Sequence, residues 1–361
     1  TFNEDGTKII VANEGEPNND YTTDPVGSIG VINVSNYSYS DIGFSGVTLS
    51  AATDGTVVRL GDTPSNDQTK DLEPEYVTVL DNYAYVTLQE NNALAKVDLS
   101  DNSISYVKSL GAKSYEADKS TIDIEENGEI EMKNFTGLFG LYQPDSIASY
   151  KVGNTGYLVT ANEGDGREYI YESAATTETA CDTDGGDWDA TNSVCEVISH
   201  IDEKKISKLD LDSSIASEYA NDNDLKVMTD LGKNSSDEYE KLYTYGARSF
   251  SIWDTNGDLV YDSGDEISKK VAQMQPTMFN QDEGEMDGRS GNKGAEPEAL
   301  TIGTIGDTTL AFIGLERQNS IMVYDITNPQ SPIFKQYINT ESEGDTSPEG
   351  MKFIPSTESP N

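Results

Sequence analysis

The sequence predicts an all-β fold, a β-propeller, on three observations. A unit of two short strands joined by a tight turn occurs three times, at Glu73–Ser100, Pro144–Glu172 and Glu296–Thr327. Short β-rich segments bounded by turn residues fill much of the remaining chain, and helical periodicity is almost absent. Because meanders that recur along a chain are typical of propellers rather than sandwiches, we expect about seven blades, with six or eight as alternatives. A single domain is expected over residues 1–361.

The three units share one internal order. A proline beside an acidic residue opens the first strand, and the turn is Asp81-Asn82, Gly153-Asn154 or Gly306-Asp307, dipeptides that favour tight turns. The second strand ends at a glutamate, and in the first and third units another alternating strand follows. Each unit is therefore predicted to form an antiparallel meander.

Other segments supply further strands. They are predicted near residues 58, 228 and 335, after Asn102, and in a hairpin over 249–263. Each end of the chain carries half a unit, so both termini are expected to cut a hairpin. The two halves either join to close a ring or stay separate.

Three segments interrupt the strand pattern. Residues 111–142, 173–224 and 273–295 lack it, and we expect them to be insertions on one rim, where loops often carry binding functions. The second contains a candidate helix over residues 213–222.

Acidic residues occupy fixed places in the repeated unit. Residues equidistant from a hairpin turn become cross-strand neighbours, and in each unit the acid that opens the first strand and the glutamate that closes the second are equidistant from the turn. We expect these pairs to converge at the mouth of the central channel, joined by the equivalent acids of the two half-units. The predicted ring is Glu14, Glu75, Glu90, Asp145, Glu163, Glu298, Glu316 and Glu349.

Two roles are open for this ring. Clustered carboxylates repel one another unless they are protonated, hydrogen-bonded or neutralised by a cation. An oxygen-only ligand set suits calcium, with magnesium as the alternative, rather than zinc or copper. The other possibility is that each carboxylate is a structural clasp that accepts hydrogen bonds from backbone amides of the next blade.

Several residues are weaker candidates. Arg248, Arg289 and Arg317 lie near strand or loop ends, either as salt-bridge partners of the ring or as catalytic clamps for a phosphate or carboxylate. A second calcium loop is conceivable at Asp182, Asp184, Asp187 and Asp189. Residues 254–266 resemble a calcium loop, but their glycine falls one place early for an EF-hand, so a hairpin turn is the better interpretation.

The composition excludes several classes of function. With 65 acidic and 24 basic residues, the formal net charge is −41, which disfavours binding to nucleic acid or to anionic membranes. No apolar run is long enough to insert directly into a membrane. The single histidine, His200, rules out a two-histidine metal site and is expected at the surface. Cys181 and Cys195, the only cysteines, are predicted to form a local disulfide, which indicates export.

The sequence resembles a known family through VANEGEPNNDY, VTANEGDGREY, LYTYGARSFSIWD, RSGNKGAEPEALTIG and AFIGLERQNSIMVYDIT. These strings are similar to the bacterial choice-of-anchor I domain, which in turn is similar to propellers of the esterase-like phytase and alkaline phosphatase type. The resemblance implies a secreted or cell-surface propeller. It also suggests that the domain continues past Asn361 with another strand.

Two functions are consistent with these observations. The first is a calcium-binding adhesion or matrix module that binds an extracellular protein or a glycan. The second is a calcium-dependent phosphoesterase, in which ions at the ring polarise a phosphate ester and activate water. The sequence does not distinguish them, and it identifies neither the ligand nor the oligomeric state.

Overall fold

The computed structural model describes residues 1–61, 63–64, 67–220, 224–339 and 341–359. The first half of the chain contains thirteen strands. They are β1 (Lys8–Asn13), β2 (Ser28–Asn33), β3 (Tyr39–Gly43), β4 (Leu49–Ser50), β5 (Val77–Leu80), β6 (Tyr83–Leu88), β7 (Ala93–Asp98), β8 (Ser103–Ser109), β9 (Ala112–Ser114), β10 (Leu138–Leu141), β11 (Ile147–Val152), β12 (Thr155–Asn162) and β13 (Glu168–Glu172).

The second half contains two α-helices and eleven strands among the described residues. They are α1 (Glu178–Asp184), β14 (Asp187–Asp189), β15 (Val194–Ile201), β16 (Glu203–Lys205), β17 (Lys226–Met228), β18 (Leu242–Thr244), β19 (Ser249–Asp254), β20 (Leu259–Asp262), α2 (Glu266–Met274), β21 (Pro297–Ile305), β22 (Thr308–Leu315), β23 (Ser320–Asp325) and β24 (Ile333–Asn339).

Four sheets are antiparallel meanders, and they confirm the predicted all-β propeller architecture. Their strand orders are β1-β2-β3, β5-β6-β7-β8 with β4 added beside β8, β11-β12-β19-β20, and β21-β22-β23-β24. The first strands of successive meanders contact one another, β5 against β11 and β11 against β21. Side-chain hydrogen bonds link them, as between the hydroxyls of Thr78 and Ser149, 3.0 Å apart. This side-by-side arrangement of first strands is that of neighbouring propeller blades.

The other three sheets come from segments outside the four meanders. They are β9-β10-β18, in which β10 and β18 are parallel, β13-β15-β14, and the pair β16-β17. Because these sheets are not meanders of the repeated unit, the expected count of seven blades stays a prediction.

The largest insertion is wider than residues 173–224 and lies inside a blade. β12 pairs with β19 from Asn162↔Ser249 to Tyr157↔Asp254, so everything between these strands interrupts one sheet. The hairpin predicted over 249–263 is present as β19 and β20. It supplies the two outer strands of the blade that begins at β11.

Two local predictions were wrong. No strand forms near residue 58, where the N–H of Arg59 donates to the carbonyl of Asn91 and the carbonyl of Arg59 accepts from Asn91 Nδ2. No helix forms over residues 213–220, which are turns, and residues 221–222 lie outside the described part. In both places the apolar residues are nevertheless buried, Val58 in the core of the first two blades and Ile215 and Tyr219 in the core of the insertion.

Separate cores support the blades and the insertion. One apolar cluster joins the blade of β11 to that of β21 through Phe250, Ile313 and Tyr324, and another fills the first two blades. A third cluster, which includes Ile122, Leu138 and Tyr239, lies within the inserted segments. The insertion therefore buries apolar surface of its own.

The two terminal half-units do not pair with each other in the described residues. The N–H of Phe353 donates to Thr301 Oγ1 at 3.2 Å, and the ring of Phe353 stacks on Phe312. The last segment thus lies beside β21, the place that the first strand of a following blade would take.

Candidate functional site

Close glycine contacts fix the turns that present the acidic ring. Glu14 and Glu163 are each followed by a glycine with a left-handed backbone, Gly15 at φ 84° and Gly164 at φ 92°, a conformation that favours glycine. A Cβ on Gly246 would lie 1.7 Å from the carbonyl oxygen of Glu163. Only glycine allows this approach, so the backbone of Glu163 is held in one position.

Three acids of the predicted ring come together at the junction of two blades. Glu163 follows β12, Glu298 lies in β21 and Glu316 follows β22, and one carboxylate oxygen of each lies within 4.8 Å of the other two. Calcium binds oxygen at 2.3–2.6 Å, so two ligands on opposite sides of one ion are about 4.8 Å apart. We call Glu163, Glu298 and Glu316 the carboxylate triad.

Burial and neighbouring carboxylates disfavour the ionised forms of Glu298 and Glu316. Burial, followed by the charges of Glu163 and Asp145, raises the pKa of Glu298 from 4.5 to about 8. Burial and a hydrogen bond to Glu296 raise the pKa of Glu316 to about 7. A divalent ion would replace these protons, because opposite charge favours the ionised carboxylates.

Basic residues lie beside the triad, and two of them were candidates from sequence. Glu296 is fully buried and accepts hydrogen bonds from Arg289 Nε at 2.7 Å and from Arg317 Nε at 3.1 Å. Arg317 also lies 3.5 Å from Glu316. Lys293, which sequence reasoning missed, places its Nζ 2.7 Å from Glu163 Oε1. Its position between Gly291 and Gly294 was the only local signal.

Arg248 does not belong to this group, contrary to expectation. Its guanidinium is buried and donates to the carbonyl oxygens of Asp123, Ser290 and Asn292. These bonds anchor a loop behind the site. Arg248 therefore neither pairs with the ring nor faces a ligand.

A second group of ring acids faces a neighbouring cavity of about 330 Å³. Burial, followed by the charges of Glu90 and Asp145, raises the pKa of Glu75 to about 11. Burial and the charge of Glu163 raise the pKa of Asp145 to about 7. The cavity is lined by Glu14, Glu16, Glu73, Glu75, Glu90, Asp165, Gly166, Arg167, Glu168 and Tyr169.

The predicted ring is thus divided into two parts. Glu14, Glu75 and Glu90 face the cavity, while the triad lies one blade further on. Asp145 lies between them, since its charge acts on both Glu75 and Glu298. Glu349 is exposed at the edge of the triad, close enough to raise the pKa of Glu298.

Two buried arginines beside the cavity were missed from sequence. Arg167 donates to Glu73 Oε2 at 2.7 Å. Arg59 pairs with Asp202 and Asp230. Both arginine side chains are 1% exposed. They link the blades to the insertion, and their partners are too distant in sequence to be foreseen.

The weaker calcium loop is not assembled. Cys181 and Cys195 form the predicted disulfide. The four aspartates between these cysteines, however, lie on two different elements and do not form one cluster among the described residues. Asp182 and Asp184 lie on α1, whereas Asp187 and Asp189 lie on β14. Asp184 accepts from Ser173 and Asp189 from Asn192, so these carboxylates serve local turns.

Asp254 and His200, which the sequence also singled out, lie in a hairpin turn and in a cluster of aromatic rings. Asp254 accepts the backbone N–H groups of Asn256 and Asp258, as expected for a hairpin turn. His200 is not an open surface residue, because its ring packs against Tyr21 and Tyr169.

The family model of the choice-of-anchor I domain matches residues 1–329. The chain belongs to the choice-of-anchor I domain family. Within the described residues of this choice-of-anchor I domain, no helix combines the length and apolar character that crossing a bilayer would need.

Similarity to curated animal proteins extends over part of their length. The domain is 26% identical over 300 residues to the mesenchyme-specific cell surface glycoprotein of Strongylocentrotus purpuratus. The aligned region covers 77% of this chain and 38% of that protein. It is 31% identical over 112 residues to Gigasin-3a of Magallana gigas, and this aligned region covers 29% of this chain and 39% of that protein. The domain thus spans less than two-fifths of these relatives.

Solved structures resemble the domain only distantly. The β-propeller domain of Cps50 (Swd1) from Myceliophteria thermophila has 8% identity and a TM-score of 0.29, covering 95% of this chain and 72% of that chain. Streptogramin B lyase has 12% identity and a TM-score of 0.24, covering 95% and 90%.

Proposed function

We propose that this choice-of-anchor I domain is a secreted or cell-surface propeller module that binds another extracellular protein or a glycan. We also propose that its carboxylate triad binds calcium. The observation that carries the metal proposal is the mutual approach of Glu163, Glu298 and Glu316 to within 4.8 Å. The triad joins two blades, so a bound ion would stabilise their contact.

Calcium fits this arrangement better than magnesium. Magnesium requires near-ideal octahedral ligands at 2.0–2.1 Å, while calcium accepts irregular sets of carboxylates, carbonyls and water. The triad offers three carboxylates from two blades, and water can complete the coordination. Extracellular fluids also supply calcium at concentrations that weak sites of this kind require.

Three observations support the location outside the cell. The chain belongs to the choice-of-anchor I family, and one relative is named as a cell surface glycoprotein. The bond between Cys181 and Cys195 is of a kind that persists in oxidising compartments.

A calcium-dependent phosphoesterase is a second candidate, favoured by Arg317. This residue is 28% exposed and its Nε lies 3.5 Å from Glu316, so a phosphate bound to a triad ion would lie close to a cation. The ion would polarise the phosphoryl group and the arginine would stabilise developing charge.

Thermal unfolding in calcium, in magnesium and in EGTA tests the proposal, with a phosphomonoester and phosphodiester hydrolysis assay on the same samples. We expect calcium to raise the melting temperature by several degrees, magnesium to raise it less, and Glu316→Gln to remove most of the calcium effect. An unchanged melting temperature in calcium contradicts the metal site. Calcium-dependent hydrolysis that Glu316→Gln abolishes would favour the phosphoesterase over the binding module.

A further inference from the structure

Both oxygens of Glu163 have hydrogen-bond partners in the carboxylate triad. Lys293 Nζ lies 2.7 Å from Oε1, and Gln89 Nε2 donates to Oε2 at 3.2 Å. A calcium ion that binds Glu163 through either oxygen therefore meets a donor that already uses one lone pair of that oxygen. The ammonium group is the stronger competitor, because it carries a positive charge that also repels the incoming ion.

The Lys293 side chain can move away from Glu163 more easily than that of Gln89. Gln89 is 3% exposed, whereas the Lys293 side chain is 14% exposed and lies between Gly291 and Gly294. The backbone before Lys293 is anchored, because Arg248 donates to the carbonyl oxygens of Ser290 and Asn292. After it, the N–H of Gly294 donates to the carbonyl of Arg289. Movement is thus confined to the lysine side chain.

A second carboxylate is available to the displaced lysine. Asp165 Oδ1 lies 3.5 Å from Lys293 Nζ, and the Asp165 side chain is 54% exposed. A small rotation would carry the ammonium group from Glu163 to Asp165 and leave Glu163 Oε1 open. The lysine would keep an ion pair in both positions.

We propose that Lys293 is a built-in competitor of calcium at the carboxylate triad, resting on Glu163 without the metal and moving to Asp165 when the metal binds. This inference rests on the proposed calcium site. It means that the affinity for calcium is set by the exchange of one cation for another. The site would then fill only where calcium is abundant.

Calcium titration of the whole chain by calorimetry tests the inference, using Lys293→Met, which keeps an unbranched side chain one atom shorter and removes its charge. We expect Lys293→Met to bind calcium at least about tenfold more tightly than the natural protein, because the competing cation is gone. Lys293→Arg, which retains the charge, should stay near the natural affinity. Lys335→Met removes an exposed lysine elsewhere and is the control.

Chemical labelling of amines gives an independent measurement on the unmutated protein. Calcium should increase acylation of Lys293, as measured by mass spectrometry, and leave Lys335 unchanged. If the natural protein binds calcium while Lys293→Met binds it equally or more weakly, the competitor role is refuted and the calcium site stands. Binding seen only in Lys293→Met would support the competitor role and refute the calcium function of the natural protein. Absence of binding in both proteins refutes both proposals.

Discussion

Glu298→Gln should stabilise the protein in the absence of calcium and remove much of the stabilisation that calcium gives. No described residue donates a hydrogen bond to the Glu298 side chain, and burial with nearby carboxylates raises its pKa from 4.5 to about 8. A carboxyl group whose pKa is raised by folding contributes stability that is fully present below pH 4.5 and is lost as the pH rises through 8. Glutamine keeps the shape of the protonated form at every pH.

The size of the effect follows from the same values. One pKa unit corresponds to about 1.4 kcal/mol, so the unscreened penalty above pH 8 would approach about 5 kcal/mol. Because Glu298 is half-exposed, solvent screening reduces this, and we expect the variant to gain only about 1–2 kcal/mol. The gain should be present at pH 9 and absent at pH 4.5.

Urea unfolding at pH 4.5 and pH 9, in EGTA and in saturating calcium chloride, measures both effects. Glu129→Gln removes the same charge from an exposed loop and controls for net charge. If Glu298→Gln is less stable than the natural protein in EGTA at pH 9, the carboxylate accepts stabilising hydrogen bonds. The clasp interpretation of the ring would then replace the metal site.

Three further predictions concern the framework around the site. Gly246→Ala should cost at least about 3 kcal/mol in the free energy of unfolding, since its Cβ would meet the carbonyl of Glu163 and its φ is 68°. Gly306→Ala, with a similar φ and open space, should cost only about 1 kcal/mol, and equal losses would contradict the steric argument. Arg59→Met should lower stability by about 3–5 kcal/mol in urea unfolding, because it leaves Asp202 without its buried partner; a loss under about 1 kcal/mol would mean that water reaches this carboxylate. Reducing the Cys181–Cys195 bond should speed hydrogen exchange across α1 while the blades stay protected, whereas faster exchange in the blades would show that the insertion is not an independent core.

Local signals account for the parts of the fold that were predicted correctly. Strand alternation and turn dipeptides act over a few residues, so the meanders and the hairpin at residues 249–263 were visible in the sequence. The interruption of one blade was not, because Asn162 pairs with Ser249 from 87 residues away. The strand expected near residue 58 failed for a related reason: its apolar pattern was present, but no partner strand lies beside it.

The sequence predicted which acids lie close together only in part, and their function as a site stays a prediction. Because residues equidistant from a hairpin turn are cross-strand neighbours, the acids of each unit were predicted to lie at one end of a blade. Three of these acids form the triad. Sequence could not show that the ring divides into a triad and a cavity, since this depends on how the blades pack. It also could not distinguish the buried Arg248 from Arg317, because each lies near a strand end and only their neighbours in space differ.

The contact between Gly164 and Gly246 has a consequence for how this family can diversify. The insertion leaves and re-enters its blade at these two adjacent glycines, and it brings apolar packing of its own. Because the two ends of this insertion lie side by side, it can be lengthened, exchanged or replaced by a short turn without changing the register between β12 and β19. Evolution could therefore vary this segment while Glu163, one residue before the junction, stays in place.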